Sequence, residues 1–378
     1  MFHKRLLCLL VLFSQLLTAN EELIKKLTEA HGASGFEGSI RRIVAESLQG
    51  VLEGTDVDGL GNLIGHLQKP QEGAPRVLLM AHMDEVGFLV RRIDENGFIF
   101  FDSVGAWIDP VILEHKWVIT TPKGQVFGVT GVESAHVIEE YPKVTTPSQK
   151  KMFLDIGVSS RAEAEALGVR PGLPITPFVS FENLNGMDRY MAKAFDDRIG
   201  LAAVITALKN LKEENLACDV IFAATVQEEV GSRGAQAVFE GTLPNIVINV
   251  EVGIARDFPV LYPNFLTNTP CIGKGPTIDV YDSGMIPNNR LVDYFIDVAH
   301  MNGIPFQFEP QSLGYFQDGC RLQTSGQGCA VINICIPTRY VHSSYGVVDR
   351  KDFDSLVKLL ECAVKEMNSK VASFIQTY

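Results

Sequence analysis

The chain lacks any surplus of basic residues: its 378 residues carry 33 Lys and Arg against 45 Asp and Glu, a formal net charge of −12. Nucleic-acid binding calls for a basic face, so nucleic-acid partners are excluded. The chain also lacks a run long enough to cross a bilayer as a helix. LLCLLVLFSQLL, near the N-terminus, holds twelve residues, whereas a spanning helix needs about twenty, so stable membrane insertion is not expected. Cysteine is sparse, at seven residues, and no C-x-x-C spacing occurs. A disulfide-dense scaffold and a C-x-x-C metal or redox motif are therefore excluded. Cys218, Cys329 and Cys335 lie in apolar runs, which suits buried free thiols. Internal repeats and low-complexity tracts are missing too.

What is present is ordinary for a globular protein, with 46% hydrophobic and 21% charged residues. Residues 1–19 stand apart. His3, Lys4 and Arg5 precede the apolar run, which ends at Thr18-Ala19. This is the layout of a secretory signal, with an amphipathic or disordered extension and a misplaced start codon as the alternatives.

From residue 20 the patterns alternate between helix and strand. NEELIKKLTEA and SIRRIVAESLQ read as helices and RVLLMAHMD as an apolar strand. Residues 86–185 differ in texture. GFLVRRIDENGFIFFDS is two strands about an Asn-Gly turn, and WVITTPKGQVFGVTG repeats the device about Pro-Lys-Gly. Only SSRAEAEALG looks helical there, with Ser159 or Ser160 as its cap. This block is expected to be a small β-domain inserted into a larger α/β domain made of residues 20–85 and 186–378. In the second half, FDDRIGLAAVITALKNLKE forms a helix with Ile199, Ala203, Leu208 and Leu211 on its apolar side. CDVIFAATV, NIVINVEV and AVINICI form buried strands, and a last helix runs from about Lys351 to Gln376.

Four of the apolar strands run into side chains able to bind a metal. RVLLMA leads to His82, FAATV to the adjacent Glu228 and Glu229, NIVINV to Glu251, and AVINICI to His342, while Asp196 opens the long helix. In open α/β sheets ligands gather at the carboxyl ends of the strands, so these distant residues are expected to meet on one edge. Each has a plainer structural reading: a strand-end histidine, a loop cap or a helix-terminal acid. Together, two imidazoles and several carboxylates suit zinc, cobalt or manganese. Five ligands with one carboxylate shared suit two ions.

AHMDEVGF, KAFDDRIG, QEEVGSRGA, NVEVGIARDFP and IPTRYVHS, in this order, resemble the motif series of the tetrahedral (TET) aminopeptidases. These are two-metal metallopeptidases grouped with glutamyl and deblocking aminopeptidases. The likeness runs from about Glu22 to the C-terminal helix. It implies an α/β fold, a mixed central sheet flanked by helices, with the inserted β-domain making dimer contacts. It implies two divalent ions per subunit, zinc or cobalt. Asp196 would bridge them, His82 and Glu251 would complete one site, and Glu229 and His342 the other. Glu228 would be the general base and acid, Asp84 would orient the His82 imidazole, and Asp197 and Arg198 would support Asp196. The activity implied is removal of N-terminal residues from peptides. The assembly implied is a homo-oligomer, typically a dodecamer, for which Phe98, Phe100 and Trp107 offer exposed apolar surface. A cytoplasmic location is implied as well, against which the leader points to export.

The likeness has departures. Glu251 stands where many relatives have Asp, and His31 where a proline is common. Gln317-Asp318-Gly319 stands where Thr-Asp-Ala is frequent. Two rival readings use the same residues: an endoglucanase-type glycosidase built on the paired carboxylates, and a non-catalytic metal-binding assembly protein.

Overall fold

The computed structural model of the chain describes residues 19–138, 145–259, 270–310 and 316–376. The expected export signal, apart from Ala19, lies outside them, and so does Cys8. Before residue 86 the chain forms helices α1 (residues 19–29) and α2 (Gly38–Ser47), then strands β1 (Thr55–Val57), β2 (Leu63–His66) and β3 (Arg76–His82). It continues through β4 (Gly87–Ile93), β5 (Ile99–Val104), β6 (Lys116–Thr121), β7 (Gly124–Val129), α3 (Arg161–Ala166) and β8 (Pro174–Pro177). Next, β9 (Glu182–Asn183) and β10 (Arg189–Ala192) lead into α4 (Phe195–Leu211), β11 (Asp219–Thr225), α5 (Arg233–Thr242) and β12 (Ile246–Ile254). The last stretch holds β13 (Thr277–Tyr281), α6 (Asn289–Met301), β14 (Gln307–Pro310), α7 (Asp318–Gln323), β15 (Ala330–Thr338), β16 (Gly346–Asp349), α8 (Arg350–Glu366) and α9 (Ser369–Gln376).

The main sheet has eight strands in the order β1-β2-β11-β3-β12-β15-β13-β14. Its four middle strands, β11, β3, β12 and β15, are mutually parallel, while β2 and β13 pair antiparallel to their inner neighbours. The sheet is thus mixed and flanked by helices on both faces. Alternate residues of the middle strands explain why: Val77, Leu79 and Ala81 join a core with α1, α2, α4, α6 and α8, while Leu78 and Met80 pack against α5 and α7. Strands covered on both faces read as unbroken apolar runs, which is how these four appear in the sequence.

Helix α4 departs from the amphipathic expectation. Fourteen of its residues are buried, on all sides, because it is packed against β3, β12 and α8 together. The expected C-terminal helix is broken in two. Met367 is extended, and the Asn368 side chain accepts hydrogen bonds from the amides of Lys370 and Val371, starting α9 with a new cap.

Between β3 and β11 in the chain lies a separate five-stranded sheet, β5-β4-β8-β6-β7, with its own core around Phe88, Trp117, Ile119 and Ile175. The β4–β5 and β6–β7 hairpins fall where the turn residues place them, and Ser160 caps α3. Phe98, Phe100 and Trp107 are half-buried rather than exposed: the first two pack on Phe153 and Trp107 on Phe88. A further small sheet, β16-β10-β9, carries the chain into α4. No helix among the described residues is long and apolar enough to cross a membrane.

The loop after α1 meets the five-stranded sheet at His31, whose Nδ1 lies 2.7 Å from Thr176 Oγ1 on β8. Burial, with nearby Lys193 adding to it against Glu85, lowers the His31 pKa to about 4. A histidine held neutral in the fold contributes stability that is complete above the unfolded value near 6.5 and lost as pH falls towards 4. Wild-type protein is expected to lose on the order of 2 kcal/mol through this residue between those limits. Urea unfolding at pH 7 and pH 4.5 checks it: His31→Gln should show a smaller loss than wild type.

Candidate metal centre

Parallel register brings the site together. Thr225 on β11 pairs with His82 at the end of β3, and Glu251 on β12 pairs with Cys335 on β15. Glu228 and Glu229 follow β11, His342 follows β15, and Asp196 lies at the start of α4. The residues that deliver these groups have unusual backbones. Ala194, Gln227, Ser232 and His342 all take positive φ values without being glycine, a costly conformation that concentrates at functional sites.

At the centre, the Asp196 carboxylate faces two imidazoles. Its Oδ1 is 2.9 Å from His82 Nε2 and its Oδ2 is 3.2 Å from His342 Nε2. Glu251 stands behind the first imidazole, Oε1 to His82 Nε2 at 3.7 Å, and Glu229 behind the second, Oε2 to His342 Nε2 at 3.3 Å. The two ring nitrogens thus share one carboxylate and each has a glutamate of its own. Donor atoms of His82, Asp196 and Glu229, and likewise of His82, Asp197 and Glu251, lie within 4.8 Å of one another.

Burial disfavours the Asp196 carboxylate, but hydrogen bonds from His342 and His82 outweigh it and hold its pKa below the usual range. Burial also disfavours charged His82, yet Glu251, Asp196 and Asp84 outweigh it and raise this imidazole well above its ordinary value. His342 is raised in the same way, by Glu229 and Asp196 against burial. Glu228, Glu229, Glu251 and Asp197 are pushed up, chiefly by burial. So many carboxyl groups against two imidazoles leave negative charge that a buried site tolerates only with cations or protons. Glu229 Oε1 and both Asp197 oxygens are buried with no hydrogen-bond partner. The donor set therefore fits divalent cations.

Asp84 does more than the sequence suggests. Its Oδ1 is 3.3 Å from His82 Nδ1, although the alignment falls short of a good hydrogen bond. It also accepts the backbone amides of Glu228 at 3.0 Å and Glu229 at 3.2 Å, and the Ser34 hydroxyl at 2.6 Å. It ties the histidine strand to the acidic turn.

Asp197, expected to support Asp196, has a buried carboxylate whose oxygen lies within 4.8 Å of donor atoms of His82 and Glu251. Asp318, seen only as part of an altered pocket wall, is fully buried, accepts the Thr225 hydroxyl at 2.6 Å and adds to the upward shift of Glu228. A second acid–thiol group, Asp279, Glu309 and Cys335, has its contacts inside the protein. Glu309 accepts from the Ile254 amide and the Thr277 hydroxyl, and Asp279 from Cys335 and Asn333.

A mixed sheet that gathers imidazoles and carboxylates at the C-terminal edge of its parallel strands defines a class, α/β proteins with a candidate metal-donor cluster at that edge. Within it, this chain belongs to the M42 glutamyl aminopeptidase family, whose sequence pattern matches residues 61–359. It is 34% identical over 353 residues to a lysyl aminopeptidase of Pyrococcus furiosus, covering 92% of this chain and 97% of that one. In structure it is similar to a TET aminopeptidase from a marine-sediment Thaumarchaeota archaeon. That match has a TM-score of 0.89 and 35% identity, and covers 95% of this chain and 99% of the other. It is also similar to the TET1 peptidase of Pyrococcus horikoshii, described as able to assemble into a tetrahedron or a large octahedral shell. Here the TM-score is 0.82 at 32% identity, over 92% of this chain and 99% of the other.

Proposed function

We propose that this aminopeptidase-family chain removes N-terminal residues from peptides by hydrolysis at a two-cation centre. The observation that carries this is the Asp196 carboxylate, one oxygen facing His82 and the other His342. His82, Asp196 and Glu251 would hold one ion and His342, Asp196 and Glu229 the other, with Asp197 a further donor beside Glu251. Bound there, two zinc or cobalt ions supply Lewis-acid polarisation and a water of lowered pKa.

The protein's own groups do the rest. Glu228, outside both ligand sets, takes a proton from the attacking water and returns it to the departing amine. Its backbone is held by Asp84, and Ser232 donates to its Oε1 at 3.3 Å. The pocket here, about 160 Å³, is lined by Asp196, Glu228, Glu229 and Glu251. Such acid density receives a substrate's terminal ammonium, which limits cleavage to the first peptide bond. A sugar-cleaving reading leaves His82 and His342 without a role.

Digestion of a peptide library by metal-loaded protein, read by mass spectrometry, tests the proposal. Stepwise loss of first residues, abolished by a chelator and absent from N-acetylated peptides, is expected. Chelator-insensitive cleavage of polysaccharide instead would overturn it. Asp84→Asn should weaken metal affinity about 10–100-fold, measured by competition with a chromogenic chelator. The chain is further proposed to form a homo-oligomer, up to a dodecamer. Its five-stranded sheet supplies contacts through exposed Phe127, Val129 and Phe178, and light scattering would report the mass.

A further inference from the structure

Two spaces meet at Ala106 and His342. One is the acid-lined pocket beside the cluster. The other is a cleft of about 780 Å³ walled by Trp107, Ile108, Val111, Phe258, Tyr340 and Tyr345. That volume falls within the ~300–1,000 Å³ of ligand-binding pockets. Among the described residues, no aspartate, glutamate, lysine or arginine lines it. Its aromatic walls are braced: Trp107 stacks on Phe88 at 5.1 Å between ring centres, while Phe258 packs at a tilt against Tyr340 at 4.9 Å and Tyr345 against His115 at 5.4 Å. Ile108 is 59% exposed at the rim. A contiguous apolar patch of this kind marks a binding surface, where a lone exposed residue would not.

We propose that this cleft receives the second residue of the peptide substrate and selects an apolar or aromatic side chain there; the proposal rests on the aminopeptidase reading. The terminal ammonium is drawn to the carboxylates of the small pocket. With the first carbonyl held at the cluster, the chain beyond the scissile bond leaves past His342 into the apolar space. A charged second side chain would shed its hydration there and find no partner. An apolar one buries surface favourably, and a ring packs on the aromatic walls.

The test is kcat/KM on metal-loaded protein for tripeptides Ala-Xaa-Ala, with Phe, Leu, Asp or Lys in the middle. Phe and Leu are expected to exceed Asp and Lys by about tenfold or more. Ile108→Lys, a change at an exposed position, should shrink the Phe-to-Asp ratio about tenfold by favouring Asp. Equal rates for all four, or an Ile108→Lys protein with an unaltered ratio, would overturn the cleft assignment. So would an unaltered ratio with a fall in assembly mass, which would make the cleft a subunit contact. Absence of turnover on every peptide would overturn the aminopeptidase reading itself and is distinguishable from those results.

Discussion

Glu228→Gln is expected to lower kcat by about 10²–10⁴-fold, the usual contribution of a positioned general base, while bound metal stays at the wild-type level. The amide keeps the size and the Ser232 contact but cannot take a proton. Among the described residues no ion pair joins Glu228 to an imidazole, although His82 acts on its charge, whereas Glu229 Oε2 lies 3.3 Å from His342. The paired measurement separates roles: loss of metal along with activity would make Glu228 a ligand, and full activity would remove it from the chemistry. Because Glu228 and Glu229 are adjacent and titrate together, a pH profile would report the pair and not either member.

Glu85→Ala is expected to destabilise the fold by about 3–5 kcal/mol, the cost of stranding a buried charge. Glu85 is 2% exposed and accepts from Lys193 Nζ at 2.7 Å through both oxygens, from the Gly32 amide at 3.0 Å, and lies 3.5 Å from Arg198. The two cations are anchored in turn to backbone carbonyls, Lys193 to Ala30 at 2.8 Å and Arg198 to Leu27 at 2.7 Å. Removing the carboxylate takes away the acid in direct contact with both positive groups and leaves only more distant ones, Asp84, Glu37 and Asp197 near Arg198 and Glu29 near Lys193. The network sits directly behind the site, since Glu85 follows Asp84 and the cations flank Asp196 and Asp197 in sequence. A denaturant midpoint within error of wild type would mean that the network is dispensable.

Much of the site was legible because the parallel strands carry it. An apolar run covered on both faces must end near the sheet's edge, so hydrophobic patterning points His82 and the Glu228-Glu229 pair to that edge, whereas Glu251 lies inside β12, which runs on to Ile254. His342 was harder: it lies four residues past β15, on a loop turned by its own left-handed backbone, and its direction depends on that turn. What could not be read were contacts set by tertiary approach. Asp84 accepting the Glu228 and Glu229 amides needs β3 and β11 side by side. The placing of the buried Asp197 carboxylate beside His82 and Glu251 needs the path of the chain into α4. Local chemistry misled in two places: α4 looked amphipathic because its sequence does not reveal how many neighbours surround it, and α8 looked continuous into α9 because the Asn368 cap resembles any polar helix residue. In the inserted sheet, Phe98, Phe100 and Trp107 seemed exposed because Phe153 and Phe88, which cover them, are distant in sequence.

Everything turns on Asp196 serving two cations at once. Metal content by inductively coupled plasma mass spectrometry, after loading with zinc or cobalt and desalting, measures this directly. Two ions per subunit are expected for the wild type and close to none for Asp196→Ala, because both sites lose the shared carboxylate. A wild type that retains no ion, or an Asp196→Ala protein that keeps both, would contradict the account.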